Sequence, residues 1–303
     1  MTVQTHRSVP RVSVMVPCYN GAQTIRVALG SMLAQTFEDW ECIVVDDGST
    51  DDTWKVLQGL SDPRFRIHKL SQNRGRGWAR AEALELAQGT FLSMLDADDW
   101  SYPEKLSALV ERIERDEQMA YVCSAAAVSD ESGNMVGRQG PTSDRTLEPK
   151  GRIGHTRFVN GTLLFRTDVV RRYGYDRSLR FCEDKDLLVQ VTRDCLGAEL
   201  SRILYSYSHP GSMSFRKMAS SYEAHFAIWG KYRSTEPLRS TALTVESLMK
   251  REAYRAVYAL GLGDKLVERR WSPPSQEELR SYERARTEVA AWEKSLDSAP
   301  VPR

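Results

Sequence analysis

The stretch Leu92 to Leu106, LSMLDADDWSYPEKL, sets Asp96, Asp98 and Asp99 at the end of an apolar run. Carboxylates repel one another and resist leaving water, so such a cluster at the mouth of a core strand calls for positive charge. Mg²⁺ and Mn²⁺ prefer oxygen ligands, and Mg²⁺ is usually held by one or two carboxylates together with substrate phosphates. On that chemistry Asp96, Asp98 and Asp99 would bind a metal diphosphate and a sugar hydroxyl. A helix beginning near Pro103 could take one of them as its cap, which leaves two acids unexplained. A second acidic strand end, Asp46-Asp47-Gly48-Ser49-Thr50-Asp51, offers a carboxylate to a base N–H and a glycine where backbone can approach a ligand. It equally reads as an ordinary strand-to-helix turn capped by Ser49 or Asp51. Glu183-Asp184-Lys185-Asp186 puts acids in the first turn of a helix, a placement that the helix dipole favours without any function.

The elements that must position these residues follow from periodicity. Near-continuous apolar runs at Arg11 to Pro17 and Glu41 to Asp46 read as strands covered on both faces, each followed by turn residues and a helix, from about Thr24 to Gln35 and from Thr53 to Leu60. Arg64 to Leu70 alternates like a strand nearer an edge, Trp78 to Gln88 is a strong helix former closed by Gly89, and Phe91 to Leu95 is the fourth strand. Strands and helices in alternation call for a mostly parallel, Rossmann-like sheet flanked by helices, in which ligands sit beyond the carboxyl ends of the strands. Cys18-Tyr19-Asn20, Asp46-Asp47 and Asp96 to Asp99 all fall at such ends, which predicts one shared cleft. Farther on, the pattern predicts a helix from Glu104 to Glu117, a strand from Tyr121 to Val128 and a long loop or hairpin over the cleft from Asp130 to His155. It then predicts a strand from Phe158 to Phe165 and helices over Asp168 to Tyr173 and Asp184 to Cys195. Residues 1–216 form the expected catalytic domain, and residues 217–303 a helical extension broken at Trp271-Ser272-Pro273-Pro274.

Bulk composition narrows the function classes. At 303 residues, with 42 basic against 41 acidic side chains, the chain has no bulk charge for a nucleic acid. Five cysteines without a CxxC pair predict a reduced, cytoplasmic chain, and no run approaches the ~20 apolar residues of a membrane span. The basic amphipathic tail, with Phe226, Trp229 and Tyr232 followed by Lys250, Arg251 and Arg255, suits packing on the catalytic domain, a homodimer contact, or a peripheral site on the inner face of a membrane.

Five blocks in order, VSVMVPCYNGAQTI, QTFEDWECIVVDDGSTDDT, NRGRGWARAEALELAQGTFLSMLDADD, GYDRSLRFCEDKDLLVQV and HPGSMS, resemble the signature blocks of family 2 glycosyltransferases from about Val12 to Ser214. The resemblance implies an inverting, metal-dependent enzyme of the GT-A fold that uses a nucleotide-sugar donor, with Mn²⁺ or Mg²⁺. It implies that Pro17, Tyr19 and Asn20 line the base pocket and that Asp47 meets the base with Asp46 in support. Asp96 and Asp98 occupy the DxD positions, and Asp98 or Asp99 would be the main metal ligand. Asn73, Gly75, Ala79 and Arg80 match the block N-x-G-x-x-x-A-R, where Arg80 would approach the nucleotide or else face solvent; the usual following Asn is Ala81. Asp184 is similar to the family's catalytic base, with Glu183 as its rival and Asp186 expected to point elsewhere. His209 resembles a residue near the diphosphate and metal, but the arginine two places before it is here Tyr207.

The expected activity is transfer of a sugar, most simply from a UDP-sugar, to a carbohydrate, lipid-linked or other hydroxyl acceptor in polysaccharide or glycoconjugate synthesis. Two alternatives share the sheet: a nucleotidylyltransferase, disfavoured because VPCYNGAQT carries no basic residue before Arg26, and a non-catalytic sugar-nucleotide sensor.

Overall fold

A computed structural model describes residues 9–179, 181–208, 215–261 and 271–298. Its first half runs β1 (Val12–Cys18), α1 (Ile25–Leu33), β2 (Trp40–Asp46), α2 (Thr53–Gln58), β3 (Phe65–Lys69), α3 (Arg76–Leu86) and β4 (Phe91–Met94). These strands lie parallel, with β1 between β2 and β4 and β3 outside β2. In the register Cys18 faces Asp46 and Met15 faces Met94, so the polar ends of β1, β2 and β4 open on the same edge of the sheet.

The second half is mixed. It comprises β5 (Trp100–Ser101), α4 (Lys105–Glu114), β6 (Met119–Ser129), β7 (Met135–Gln139), β8 (Arg145–Leu147), a 3₁₀ turn at Asn160–Thr162, β9 (Leu163–Arg166), α5 (Thr167–Tyr173), α6 (Glu183–Asp194) and β10 (Leu196–Ser208). β9 runs antiparallel between β4 and β6, and β10 lies parallel to β6 with β5 at its outer side. The stretch expected as a loop or hairpin folds as β7, a hairpin partner of β6, and β8, which pairs with β10. The strand predicted from Phe158 begins only at Leu163, because the 3₁₀ turn occupies its first half.

Apolar residues alternate between the two faces of the sheet. Val12, Val14 and Val16 meet Ile25 and Leu29 of α1 and Leu109 and Ile113 of α4. Met15, Ile43 and Val45 meet Ala79, Ala83 and Leu84 of α3 and Leu187 and Val191 of α6. This double covering explains why β1 and β2 are buried at every position.

Among the described residues three helices follow the sheet: α7 (Phe215–Gly230), α8 (Pro237–Ala259) and a C-terminal helix (Gln276–Ser298). Ile228, Trp229 and Leu243 pack on Ile153, Leu179 and Val189, which ties α7 and α8 to α6. The C-terminal helix lies against α1, so closely that a Cβ at Gly30 would come within 2.9 Å of the Glu293 backbone nitrogen. Among the described residues no helix is long and apolar enough to cross a membrane.

One contact in the interior fixes the site edge. Tyr205 of β10 is fully buried against Gly161, where an added Cβ would lie 2.0 Å from the tyrosine ring. Gly161→Ala should therefore cost about 1–3 kcal/mol through overpacking. Urea unfolding should show a lower midpoint with an unchanged m value. A midpoint equal to wild type would mean that the ring can move aside.

Candidate active site

The first wall of the cleft comes from the ends of β1 and β2. Asn20 adopts a left-handed backbone with φ of 52°, tolerable for asparagine, and spends its polar atoms on the facing turn. Its Oδ1 accepts from the Thr50 amide at 2.9 Å, and its own amide donates to Ser49 Oγ at 2.9 Å. The Gly21 amide donates to Thr53 Oγ1 at 2.8 Å. Asp46 lies beneath, fully buried, and accepts from the Ser49 amide at 2.9 Å. It braces this turn and is absent from the cleft lining, whereas Asp47 lines it. The Asp47 oxygens accept from the amides of Arg74 and Gly75, each at 2.8 Å, which fastens the loop before α3 to the end of β2. A carboxylate has about four lone-pair sites, so capacity remains for a ligand N–H. Gly48, with φ of 70°, answers a need different from the expected one: its Cβ would strike the Gln72 carbonyl carbon at 2.6 Å, so the close approach is that of this loop.

The acidic loop after β4 divides its three carboxylates. Asp98 is exposed in the cleft, and Asp96 is 30% exposed with Oδ1 accepting from Arg80 Nη2 at 3.0 Å. Asp99 is buried. Its Oδ2 accepts from Tyr205 Oη at 2.7 Å and its Oδ1 from the Ser208 amide at 3.1 Å. Burial, and then the charges of Asp96 and Asp98, push its carboxyl well above the usual carboxylate range. Of the two acids expected as the main metal ligand, Asp98 or Asp99, Asp98 is the exposed one, while Asp99 lies at the buried edge of the lining and latches the end of β10 to the acidic loop. His209 lies outside the described residues. Tyr207 lines the cleft with its hydroxyl donating to Gln139 Oε1 at 2.6 Å.

Beneath the loop sits Arg80, 2% exposed, so it neither faces solvent nor lines the cleft. Its guanidinium donates through Nη1 to Glu183 Oε1 at 2.7 Å and through Nη2 to Asp96, and Nη1 also lies 3.8 Å from Asp184 Oδ2. One fixed cation thus joins the donor-side acid Asp96 to both acids that open α6. Cys182, left-handed at φ of 62°, turns the chain into that helix. Glu183 is fully buried, and burial raises its carboxyl while Arg80 opposes the shift. Asp184 is 32% exposed, with Oδ1 accepting from the Lys185 amide at 2.8 Å. Asp186 points elsewhere, accepting from Lys231 Nζ at 2.7 Å.

The resulting cleft holds about 980 Å³ and is lined at one end by Pro17, Tyr19, Asn20, Asp47 and Asn73, and at the other by Asp96, Asp98, Phe181, Tyr207 and Ser208. Tyr19 and Phe181 are large hydrophobic side chains left nearly half exposed, the first suited to stacking on a planar ring. Arg76, a cation in this lining, carried no sequence signal because it occupies a variable position of the block between Gly75 and Ala79. No cluster of three or more acidic, histidine or cysteine ligands that could hold a metal occurs among the described residues. The donor set is instead the exposed carboxylate of Asp98 with Asp96 nearby, one of whose oxygens accepts from Arg80, a pair that fits a hard cation bringing its remaining ligands with a phosphate.

A family model described as glycosyl transferase family 2 matches residues 13–174. The chain is 28% identical over 232 residues to a chondroitin synthase of Escherichia coli, covering 74% of this chain and 33% of that protein. It is 31% identical over 186 residues to the succinoglycan biosynthesis protein ExoO of Rhizobium meliloti (strain 1021), covering 59% of this chain and 51% of the other. The chain thus spans about a third to a half of the length of these relatives. Among solved structures, S. aureus TarS 1-349 in complex with UDP-GlcNAc superposes with a TM-score of 0.62 at 19% identity, over 95% of this chain and 83% of the other. At that identity the likeness speaks for the GT-A fold alone.

The Arg80 network has a measurable signature. Arg80→Met leaves Glu183 buried without its partner and should destabilise the protein by about 3–5 kcal/mol, while Arg80→Met/Glu183→Leu should recover much of that loss. Unfolding free energies of the two variants test this. A single variant as stable as wild type would show that Glu183 is uncharged in the native protein without Arg80.

Proposed function

The chain belongs to glycosyl transferase family 2, and on that premise we propose that it transfers a sugar from a UDP-sugar to an acceptor hydroxyl, in polysaccharide or glycoconjugate synthesis, by a single inverting displacement. The observation that carries the reading is the shared guanidinium: Arg80 contacts Asp96 on the donor side and lies within 3.8 Å of Asp184 on the other. That sharing supports the reading because it holds the acidic loop beside Asp184, a partly exposed carboxylate that is itself outside the cleft lining.

The base of the donor would stack on Tyr19 and donate an N–H to Asp47, while Pro17 and Asn20 shape the wall around it. Asp98, with Asp96, would hold Mn²⁺ or Mg²⁺, which when bound neutralises charge on the departing diphosphate. The acceptor oxygen attacks the anomeric carbon from the face opposite the diphosphate. A carbon–oxygen bond forms as the bond to the β-phosphate oxygen breaks, and UDP leaves with that electron pair. A sugar hydroxyl is too weak an acid to ionise at neutral pH, so its proton passes to Asp184 as the bond forms. Glu183 is the poorer candidate for that proton, being fully buried with one oxygen held by Arg80. The helices after residue 216 serve as a brace, because α7 and α8 support α6 from behind.

Incubating the protein with UDP-sugars and Mn²⁺ and following free UDP tests the activity, transfer to water included. Asp184→Asn should keep donor binding and lose about 10²–10⁴-fold in kcat, the range for removal of a general base. Asp98→Asn should raise the metal concentration needed for half-maximal turnover. An Asp184→Asn enzyme with wild-type kcat would reject the assignment of the base, and full turnover in EDTA would reject the metal.

A further inference from the structure

The cleft is lined by Asp47, Asp96, Asp98 and Asp99 and, among the described residues that line it, by a single cation, Arg76. The other cations nearby are committed. Arg80 is buried against Glu183 and Asp96, and the guanidinium of Arg74 lies on the Trp78 ring, 3.3 Å from its centroid. Lys105 is buried, with Nζ donating to the Met94 carbonyl oxygen at 2.9 Å. Arg76, by contrast, is 56% exposed, and its Nε lies 3.9 Å from Glu183 Oε1, beyond hydrogen-bond reach. A guanidinium carries five N–H donors in a fork that matches phosphate oxygens, so a near contact with one carboxylate oxygen leaves most of that capacity open.

Position points the same way. Arg76 opens α3 directly after Gly75, whose amide is held by Asp47, and Glu183, next to Asp184, marks its other side. The side chain therefore stands in the lining between Asp47, on the wall assigned to the base, and the start of α6 at Glu183. A nucleoside diphosphate seated with its base on Tyr19 would carry its phosphates through that interval.

We propose that Arg76 is a phosphate-recognising residue of this cleft, binding the diphosphate of the nucleotide and stabilising it as it departs; this rests on the UDP-sugar reading given above. The charge pattern supplies the reason. Asp96 is paired with Arg80 and Asp99 is buried, but Asp47 and Asp98 also line the cleft, so a diphosphate entering beside them gains from a further cation as well as from a divalent ion.

The test compares UDP with uridine, two ligands that share the base and ribose and differ in the phosphates. Affinities would be measured by NMR titration in buffer containing Mg²⁺ for wild type, Arg76→Gln and Arg76→Lys, together with the melting temperature of each. Loss of a charge-assisted hydrogen bond predicts that Arg76→Gln weakens UDP about ten- to a hundredfold and leaves uridine unchanged, with partial recovery in Arg76→Lys. The difference should shrink as salt is raised, since the site is open to solvent. If UDP and uridine weaken equally, or UDP binding does not change while the melting temperature falls, Arg76 serves only as a structural partner of Glu183 and the proposal is wrong. A wild-type protein that binds neither ligand would overturn the donor assignment and take this proposal with it.

Discussion

Everything in the cleft depends on how one buried cation is shared. Arg80, on the inner face of α3, meets Asp96 after β4 and Glu183 at the start of α6, with Asp184 just beyond hydrogen-bond distance. Burial alone would make a guanidinium costly; the surrounding carboxylates reverse that and hold it protonated, further than its ordinary value. The carboxylates in turn cannot leave without stranding the cation. Two segments about a hundred residues apart are thereby fixed against each other before any ligand arrives, which is the preorganisation a displacement reaction requires.

A second layer of hydrogen bonds makes the rest of the cleft rigid from the backbone outward. Asp47 fastens the loop before α3, Asn20 fastens the turn after β2, and Asp99 fastens the end of β10 through Tyr205 and Ser208. Acids at strand ends thus divide into two kinds. Asp46, Asp47 and Asp99 are buried and hold the backbone around them, whereas Asp98 is exposed and Asp96 partly so. The same division explains how three aspartates in four residues coexist: Asp96 is paired with Arg80, Asp99 accepts from Tyr205 and Ser208, and Asp98 is exposed.

Much of this was legible in the chain, for a physical reason. β1 and β2 are covered on both faces, so their apolar runs announced them, and the rule that ligands gather at carboxyl ends brought Tyr19, Asp47 and Asp98 into one cleft. β10 was not anticipated, since Arg202, Ser206 and Ser208 interrupt its pattern and bulges between Leu200 and Tyr205 break the alternation. The fate of Asp99 could not be read locally either: its partners Tyr205 and Ser208 lie 106 and 109 residues away. Arg80 presented the same difficulty, because an arginine on a helix reads as solvent-facing unless a buried acid such as Glu183, 103 residues later, turns it inward. Charge pairing across such distances is decided by the fold.

A single displacement at the anomeric carbon inverts its configuration. The most direct measurement is the anomeric configuration of the sugar first released or transferred from an α-linked UDP-sugar, read by proton NMR before mutarotation. A single displacement gives a β-configured first product. An α-configured first product would contradict it, since retention needs an intermediate or a same-face attack that a lone base opposite the diphosphate cannot provide.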